Sequence, residues 1–319
     1  MSQTPVIAVA GGSGGLGRAI VDALRASGEY DVVVLSRSLN STLEKETGAR
    51  VLAADYTKPA ELVKLLEDNK VSTVIASLAI SIDPTLELNL IEACERSGTT
   101  ERYIPGIWSA VPAKNTPIAP LAEKFLRVTQ TLEKTNLEWT TIHPGLFMDF
   151  YVPGLPSSVS PTSIVVDVLN NAAGIPGTGN TPISFTYTRD VGKYVTALLG
   201  KVPGTWAQMY FIAGDNRTWN EVVALAKEGK GVKFDVRYDS LEMLEKGEIT
   251  ELPSHEKLYE GFGGGERAKG VVRGWLSTYG LWMESGDFEY RQGPFLNEEF
   301  GDVKALRMDE AWGLAAGKV

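Results

Sequence analysis

The chain has 319 residues, 43% hydrophobic and 22% charged, the balance of an ordinary globular protein with room for one large domain or two small ones. Its net charge of −9, with no lysine- or arginine-rich block, excludes direct nucleic-acid binding through a basic face. A single cysteine, Cys94, excludes an intrachain disulfide framework and suits a reducing compartment.

The first element is an apolar run, residues 6–10, read as a buried strand. It breaks into Gly11-Gly-Ser-Gly-Gly-Leu-Gly17 and passes straight into residues 18–25, whose apolar positions recur at helical spacing. Two registers fit the dinucleotide fingerprint, Gly12-x-Gly14-x-x-Gly17 and Gly11-x-x-Gly14-x-x-Gly17. Glycine permits positive φ and lets a ligand approach the backbone. The helix behind it offers unpaired N–H groups and the positive end of its dipole to a pyrophosphate. Gly11, Ser13, Gly14, Gly15, Leu16 and Gly17 are therefore candidate cofactor-binding residues.

A second strand, residues 30–38, carries Ser36 and Arg37 where an acidic residue would hold the ribose hydroxyls of NAD. A carboxylate would repel a 2′-phosphate, whereas a guanidinium and a hydroxyl bind one, so the expected cofactor is NADP(H). The third strand, residues 49–54, runs into Asp55 and Tyr56. These reach the adenine edge, or Asp55 caps the helix that starts near Pro59. After that helix, residues 60–69, comes strand 72–77, which places Ser77 and Leu78 at the carboxyl edge of the sheet, where open α/β sheets bind ligands. Residues 88–96 read as a helix in which Cys94 is core filler, and residues 102–105 as a fifth strand. The alternation predicts a Rossmann-type, doubly wound parallel sheet of the α/β class.

In common short-chain dehydrogenases a serine near Ser109 pairs with a Tyr-x-x-x-Lys helix. No tyrosine here has a lysine four residues later. The next helix, residues 121–132, has Leu121, Phe125, Val128 and Leu132 on one face. Lys124 lies about 60° from Leu121 and about 40° from Val128 on an ideal helix, bordering the apolar stripe. A lysine so placed can lay its stem along the core and bring its ammonium to the open sheet edge. The strand 138–142 then ends in His143-Pro144-Gly145, a turn that shapes the floor of a cleft. His143 is a candidate to move a proton near neutral pH, or a hydrogen-bonded hinge residue. Two distant histidines and one cysteine leave no metal site.

Residues 150–184 are rich in turn formers and read as a lid. Residues 188–199 form an amphipathic helix, Thr218 caps a helix over 219–227, and a strand (233–238) and a helix (240–245) follow. The run Gly263–Gly265 has no strand before it and is not a second phosphate loop. Trp275, Tyr279, Trp282, Phe288, Tyr290 and Phe295 either line an apolar cleft or form the core of a smaller subdomain, the second being expected for most. The expected division is a cofactor-binding domain, 1–150, with a return at about 185–215, and a smaller substrate-binding and lid subdomain, 151–184 and 216–319. No apolar run is long enough to span a bilayer and the first five residues carry no charged and apolar leader, so the expected setting is cytoplasmic, away from membrane.

Taken together, these stretches resemble the NmrA-like, atypical short-chain dehydrogenases, which include the isoflavone-reductase-like enzymes, and among them the fungal members. The matching segments are the glycine turn, Ser36-Arg37, residues 102–105, Glu123-Lys124 with Leu137-Glu-Trp-Thr140, residues 143–149, 189–195 and 212–221. The resemblance implies an extended Rossmann domain binding NADP(H), a small-molecule substrate under a C-terminal cover, and a helix lysine, here Lys124, acting beside the nicotinamide. The usual spacing back from Thr140 falls on Phe125, one residue beyond Lys124. It also implies two activities: an NADPH-dependent reductase of an apolar organic molecule bearing a polarised C=C, C=N or C=O bond, or a non-catalytic NADP(H)-sensing regulator of a protein partner. An isomerase that keeps its cofactor as a scaffold is a third.

Overall fold

The computed structural model describes residues 4–78, 83–111 and 119–315. Strands β1 (Val6–Ala10), β2 (Asp31–Ser36), β3 (Arg50–Ala53), β4 (Val71–Ala76), β5 (Arg102–Ile104) and β6 (Glu138–Trp139) alternate with helices α1 (Gly15–Ser27), α2 (Ser41–Thr47), α3 (Pro59–Asp68), α4 (Thr85–Arg96) and α5 (Ala119–Leu132). The six strands form one parallel sheet of order β3-β2-β1-β4-β5-β6. The order reverses between β1 and β4, and open α/β sheets bind ligands in the crevice beyond the strand ends at such a point.

Strand β1 shows why the sheet is covered on both faces. Successive side chains of a strand point to opposite sides. Ile7 and Val9 enter a core with Leu16, Ile20 and Leu24 of α1, while Val6, Ala8 and Ala10 join Leu62 and Leu66 of α3, Leu90, Ile91 and Cys94 of α4, and Val128 and Leu132 of α5. Each of these buried valine, leucine and isoleucine side chains contributes about 1.5–3 kcal/mol to the hydrophobic term. Cys94 is fully buried, in its expected role as core filler.

The anticipated strand 138–142 is in fact two strands, β6 and β7 (Thr141–His143). The amide of Thr140 still reaches the Tyr103 carbonyl at 3.3 Å, but that of Thr141 bonds Gln208 at 3.1 Å. The chain thus leaves β5 for a strand that arrives from much later in the sequence. The remaining elements are β8 (Leu146–Phe147), β9 (Val166–Asp167), β10 (Ala172–Pro176), β11 (Ile183–Thr186), α6 (Thr188–Leu199), β12 (Met209–Phe211), β13 (Asp215–Arg217), α7 (Trp219–Lys230), β14 (Asp235–Asp239), α8 (Leu241–Glu245), α9 (His255–Gly261), α10 (Gly265–Glu284), α11 (Leu296–Glu299) and α12 (Met308–Ala315). β12 pairs in parallel with β7, and α6 lies against α1, its Val191, Tyr194, Val195 and Leu198 sharing the core of Ile7 and Val9. Close approach of the two helices depends on Gly192, where a Cβ would stand 2.6 Å from the Ala19 carbonyl oxygen.

A separate core gathers Tyr151, Phe185, Trp219, Tyr279, Trp282, Phe288, Tyr290 and Trp312. Five of the six late aromatics singled out above pack into this core or against it; Trp275 is 39% exposed. Thr218 starts α7 with a full capping box to Glu221, and the helix runs three residues past its expected end to a left-handed Gly231. Gly264 caps α10, so the glycine run is a helix entrance and not a phosphate loop. No helix among the described residues is long and apolar enough to cross a membrane.

Candidate active site at the carboxyl edge of the sheet

The glycines of the first turn do different jobs. Gly11 (φ +85°) lies so close to the end of β4 that a Cβ would stand 2.1 Å from the Ser77 carbonyl oxygen. A Cβ on Gly17 would stand 2.4 Å from the Gly11 carbonyl oxygen, so this glycine lets α1 pack on its own turn. Gly14 and Gly15 face open space, with nothing within 4 Å of either ideal Cβ. No side chain caps α1 and no acidic residue sits in its first turn. The helix start therefore keeps its donors and its positive dipole end, the features an anion requires. One donor is engaged: the Gly15 amide bonds the Ser158 carbonyl at 3.1 Å.

Beside this turn, β2 ends at Ser36, and Arg37 is exposed with no ion-pair partner among the described residues. Asp55 is turned inward on its own loop, accepting from the amide of Thr57 at 3.0 Å and its hydroxyl at 2.6 Å. These bonds hold its carboxyl below the usual range. The N-cap of α3 is Lys58, so Asp55 shapes the turn leading to the helix rather than capping it. Tyr56 is buried and donates its hydroxyl to the Leu35 carbonyl at 3.1 Å. This bond ties the loop after β3 to the end of β2.

At the other side of the switch point the Ser77 amide bonds Ala10 at 2.7 Å, and Leu78 follows half-buried. The Trp108 indole donates to the Ala76 carbonyl at 2.8 Å, fixing the chain after β5 across the end of β4. Lys124 is buried on the inner face of α5, 8% exposed, while Phe125 turns toward the sheet core. Near it lies a residue that sequence reasoning missed. Glu87 of α4 is 4% exposed and accepts from the Gly106 amide at 2.6 Å. Burial pushes its carboxyl up, and the Gly106 amide and the Lys124 ammonium pull it back. In sequence Glu87 looks like an ordinary acid in the first turn of a helix, complementing its dipole.

His143 is buried at the end of β7. Its Nδ1 faces the Ser109 carbonyl at 2.6 Å and its Nε2 the Thr141 hydroxyl at 3.0 Å. Burial lowers its pKa to about 4, so the ring is neutral at physiological pH with both nitrogens occupied. Pro144 is buried behind it, and Gly145 (φ +71°) brings the turn so near β11 that a Cβ would stand 2.1 Å from the Ser184 carbonyl oxygen. Ser109 also reaches Tyr279 of α10, whose hydroxyl burial pushes up to about 12 against the pull of the serine. This Ser–Tyr pairing joins the sheet edge to the C-terminal core; no local pattern announces it, because its members are far apart in the chain. Among the described residues no group of three or more His, Cys, Asp or Glu side chains is arranged for a metal.

The model of the NmrA-like family matches residues 3–269. Oxidoreductase BOA1 of Botryotinia fuckeliana is 31% identical over 304 residues, covering 93% of this chain and 95% of the relative. Oxidoreductase swnN of Metarhizium robertsii is 29% identical over 293 residues, covering 83% and 85%. Among solved structures, AtPrR2 with NADP+ and (+)pinoresinol superposes with a TM-score of 0.71 at 20% identity, over 99% of this chain and all of that one. The leucoanthocyanidin reductase–NADPH complex from Vitis vinifera does so at 0.72 and 16%, over 97% and 98%. At these identities the likeness to solved structures is one of fold.

Proposed function

The chain belongs to the NmrA-like family, and from that premise we propose that it is an NADPH-dependent reductase of a small to medium apolar organic substrate with a polarised C=C, C=N or C=O bond. The observation that carries this reading is the glycine turn at the β1/β4 switch point, with no side-chain cap on α1, beside an Arg37 that makes no ion pair among the described residues. It fits a phosphorylated dinucleotide in two respects. Gly14 and Gly15 leave the space a pyrophosphate needs, and Ser36 with Arg37 offers a hydroxyl and a guanidinium where a 2′-phosphate calls for them.

When bound, NADPH supplies hydride from C4 of its nicotinamide. The amides of the Gly11–Gly17 turn would hold the pyrophosphate, with Ser13 exposed on its rim. Ser77, Leu78 and Trp108 wall the carboxyl edge. Lys124 is assigned the role of stabilising or protonating the anion that develops on the substrate, because it is a buried lysine of α5 whose charge is felt by the buried Glu87. His143 is assigned to positioning: with both nitrogens bonded and its pKa at about 4 it is neutral, donates its Nδ1 proton to the Ser109 carbonyl and holds the turn in place. Residues 1–150 with the return at 185–215 form the cofactor lobe in this reading, and 151–184 with 216–319 the substrate lobe. Cys94, buried and unpaired, suits the reducing cytoplasm.

Paired calorimetric titrations with NADPH and NADP+ test the proposal. Binding of NADPH as tight as that of NADP+, or tighter, supports a loaded hydride donor. A strong preference for NADP+ would replace the reductase with a redox sensor, and binding of neither would overturn the reading of the glycine turn.

A further inference from the structure

Residues 151–163 cross the front of the glycine turn, and three contacts fix their course. Tyr187, just before α6, donates its hydroxyl to the Pro156 carbonyl. Ser157 donates to the Asp149 carboxylate, which also takes the Thr188 amide at 2.9 Å and hydroxyl at 2.6 Å. Beyond these two anchors, the Ser158 carbonyl accepts from the Gly15 amide at 3.1 Å. Between Pro153 and Ser163 only Leu155 is buried, and the segment has no regular structure, so little apolar surface holds it down.

The Gly15 amide is one of the donors at the start of α1 that a pyrophosphate would use. A single N–H cannot serve a carbonyl and a phosphate oxygen at once with good geometry. We propose that residues 153–163 are a strap over the cofactor site, closed by Ser158 on Gly15 and displaced when a dinucleotide pyrophosphate takes that amide. The inference rests on the reading of the glycine turn as the NADP(H) site. The direction follows from bond strengths: an amide bond to an anionic oxygen is roughly twice as strong as one to a neutral carbonyl, and the released Ser158 carbonyl is taken up by water. The closed strap lowers apparent cofactor affinity by the fraction of molecules held shut. It also couples cofactor loading to the substrate lobe, since the strap belongs to residues 151–184 of that lobe and is tethered to Asp149 and Tyr187 of the cofactor lobe.

The test is hydrogen exchange across the full chain with and without saturating NADPH, joined to NADPH calorimetry on wild type, Ser157→Ala and Tyr187→Phe. Asp149 keeps both bonds to Thr188 in the first variant, so the fold is preserved. Expected are faster exchange in residues 153–163 on NADPH binding, protection of residues 11–18, and NADPH binding tightened about fivefold per anchor removed, one net hydrogen bond each. Slower or unchanged exchange in the strap, with both variants binding no tighter than wild type, would overturn the strap while leaving the cofactor reading intact. If neither wild type nor variants bind NADPH, the cofactor reading itself falls and takes the strap with it. If only the variants bind, the strap is confirmed as a block.

Discussion

Arg37→Glu is the substitution that separates this account from a generic nucleotide-binding fold. Arg37 is exposed after the last residue of β2 and makes no ion pair among the described residues, so its replacement leaves the folded core untouched. Surface changes of this kind stay within about 0.5 kcal/mol of wild-type stability. The effect on NADPH is larger. Removal of a charge-assisted bond to the 2′-phosphate costs about 2 kcal/mol, and a like charge at the surface adds about 1 kcal/mol of repulsion, together roughly a hundredfold in Kd. NADH lacks the 2′-phosphate, so its affinity should hold or rise. The assay is calorimetry of both cofactors with wild type and variant at two salt concentrations, the NADPH preference of wild type shrinking at the higher one as screening increases. An equal loss for NADH and NADPH, or no loss for either, would refute the assignment of Arg37 to the 2′-phosphate.

The backbone and core support further tests. Gly17→Ala forces a Cβ to 2.4 Å from the Gly11 carbonyl, so the turn must open; chemical denaturation should register a loss of about 2–4 kcal/mol, and an unchanged midpoint would contradict the geometry. Arg102 bonds the half-buried Glu138 at 2.7 Å and the carbonyls of Leu199 and Lys201 at 3.1 and 2.9 Å, so Arg102→Ala should cost about 2–4 kcal/mol in the same assay by leaving three acceptors without their donor. For His143 the folded pKa of about 4 lies below the ordinary histidine value of about 6.5, so the unfolded chain binds the proton first as pH falls. Stability is then retained above pH 6.5 and lost on the way down to about pH 4, by up to about 3 kcal/mol. His143→Gln should remove that component, read as the difference between the two proteins' unfolding free energies across this window; parallel curves would show that the ring is not held neutral.

The sheet was largely legible because its determinants are local. Residues 6–25 carry strand, turn and helix in order, and β2 and β4 are short apolar runs followed by polar residues. What escaped is non-local. The break at Thr140 arises because β7 pairs with β12, some seventy positions further on, and nothing within residues 138–143 signals that partner. Glu87 has the appearance of a solvated helix-start acid until Gly106 and Lys124 close over it. Helical phase sets Lys124 at the border of the apolar stripe, and in the structure Lys124 is buried while Phe125 is half-buried. His143 has two readings in sequence, proton transfer or a hydrogen-bonded hinge, and only the structure shows that both of its ring nitrogens are bonded, to Ser109 and Thr141. The contact of Ser158 with Gly15 joins backbone atoms, so no side-chain pattern could have carried it.

The central claim is hydride transfer from NADPH with Lys124 at the reacting centre, and the most direct measurement follows NADPH consumption by wild type and Lys124→Met across enones, imines, ketones and quinones. The account predicts substrate-dependent consumption by wild type with at least one class, falling roughly a hundredfold in the variant while NADPH affinity changes little. Consumption that is equal in the two proteins, or absent from wild type with every class, would contradict it.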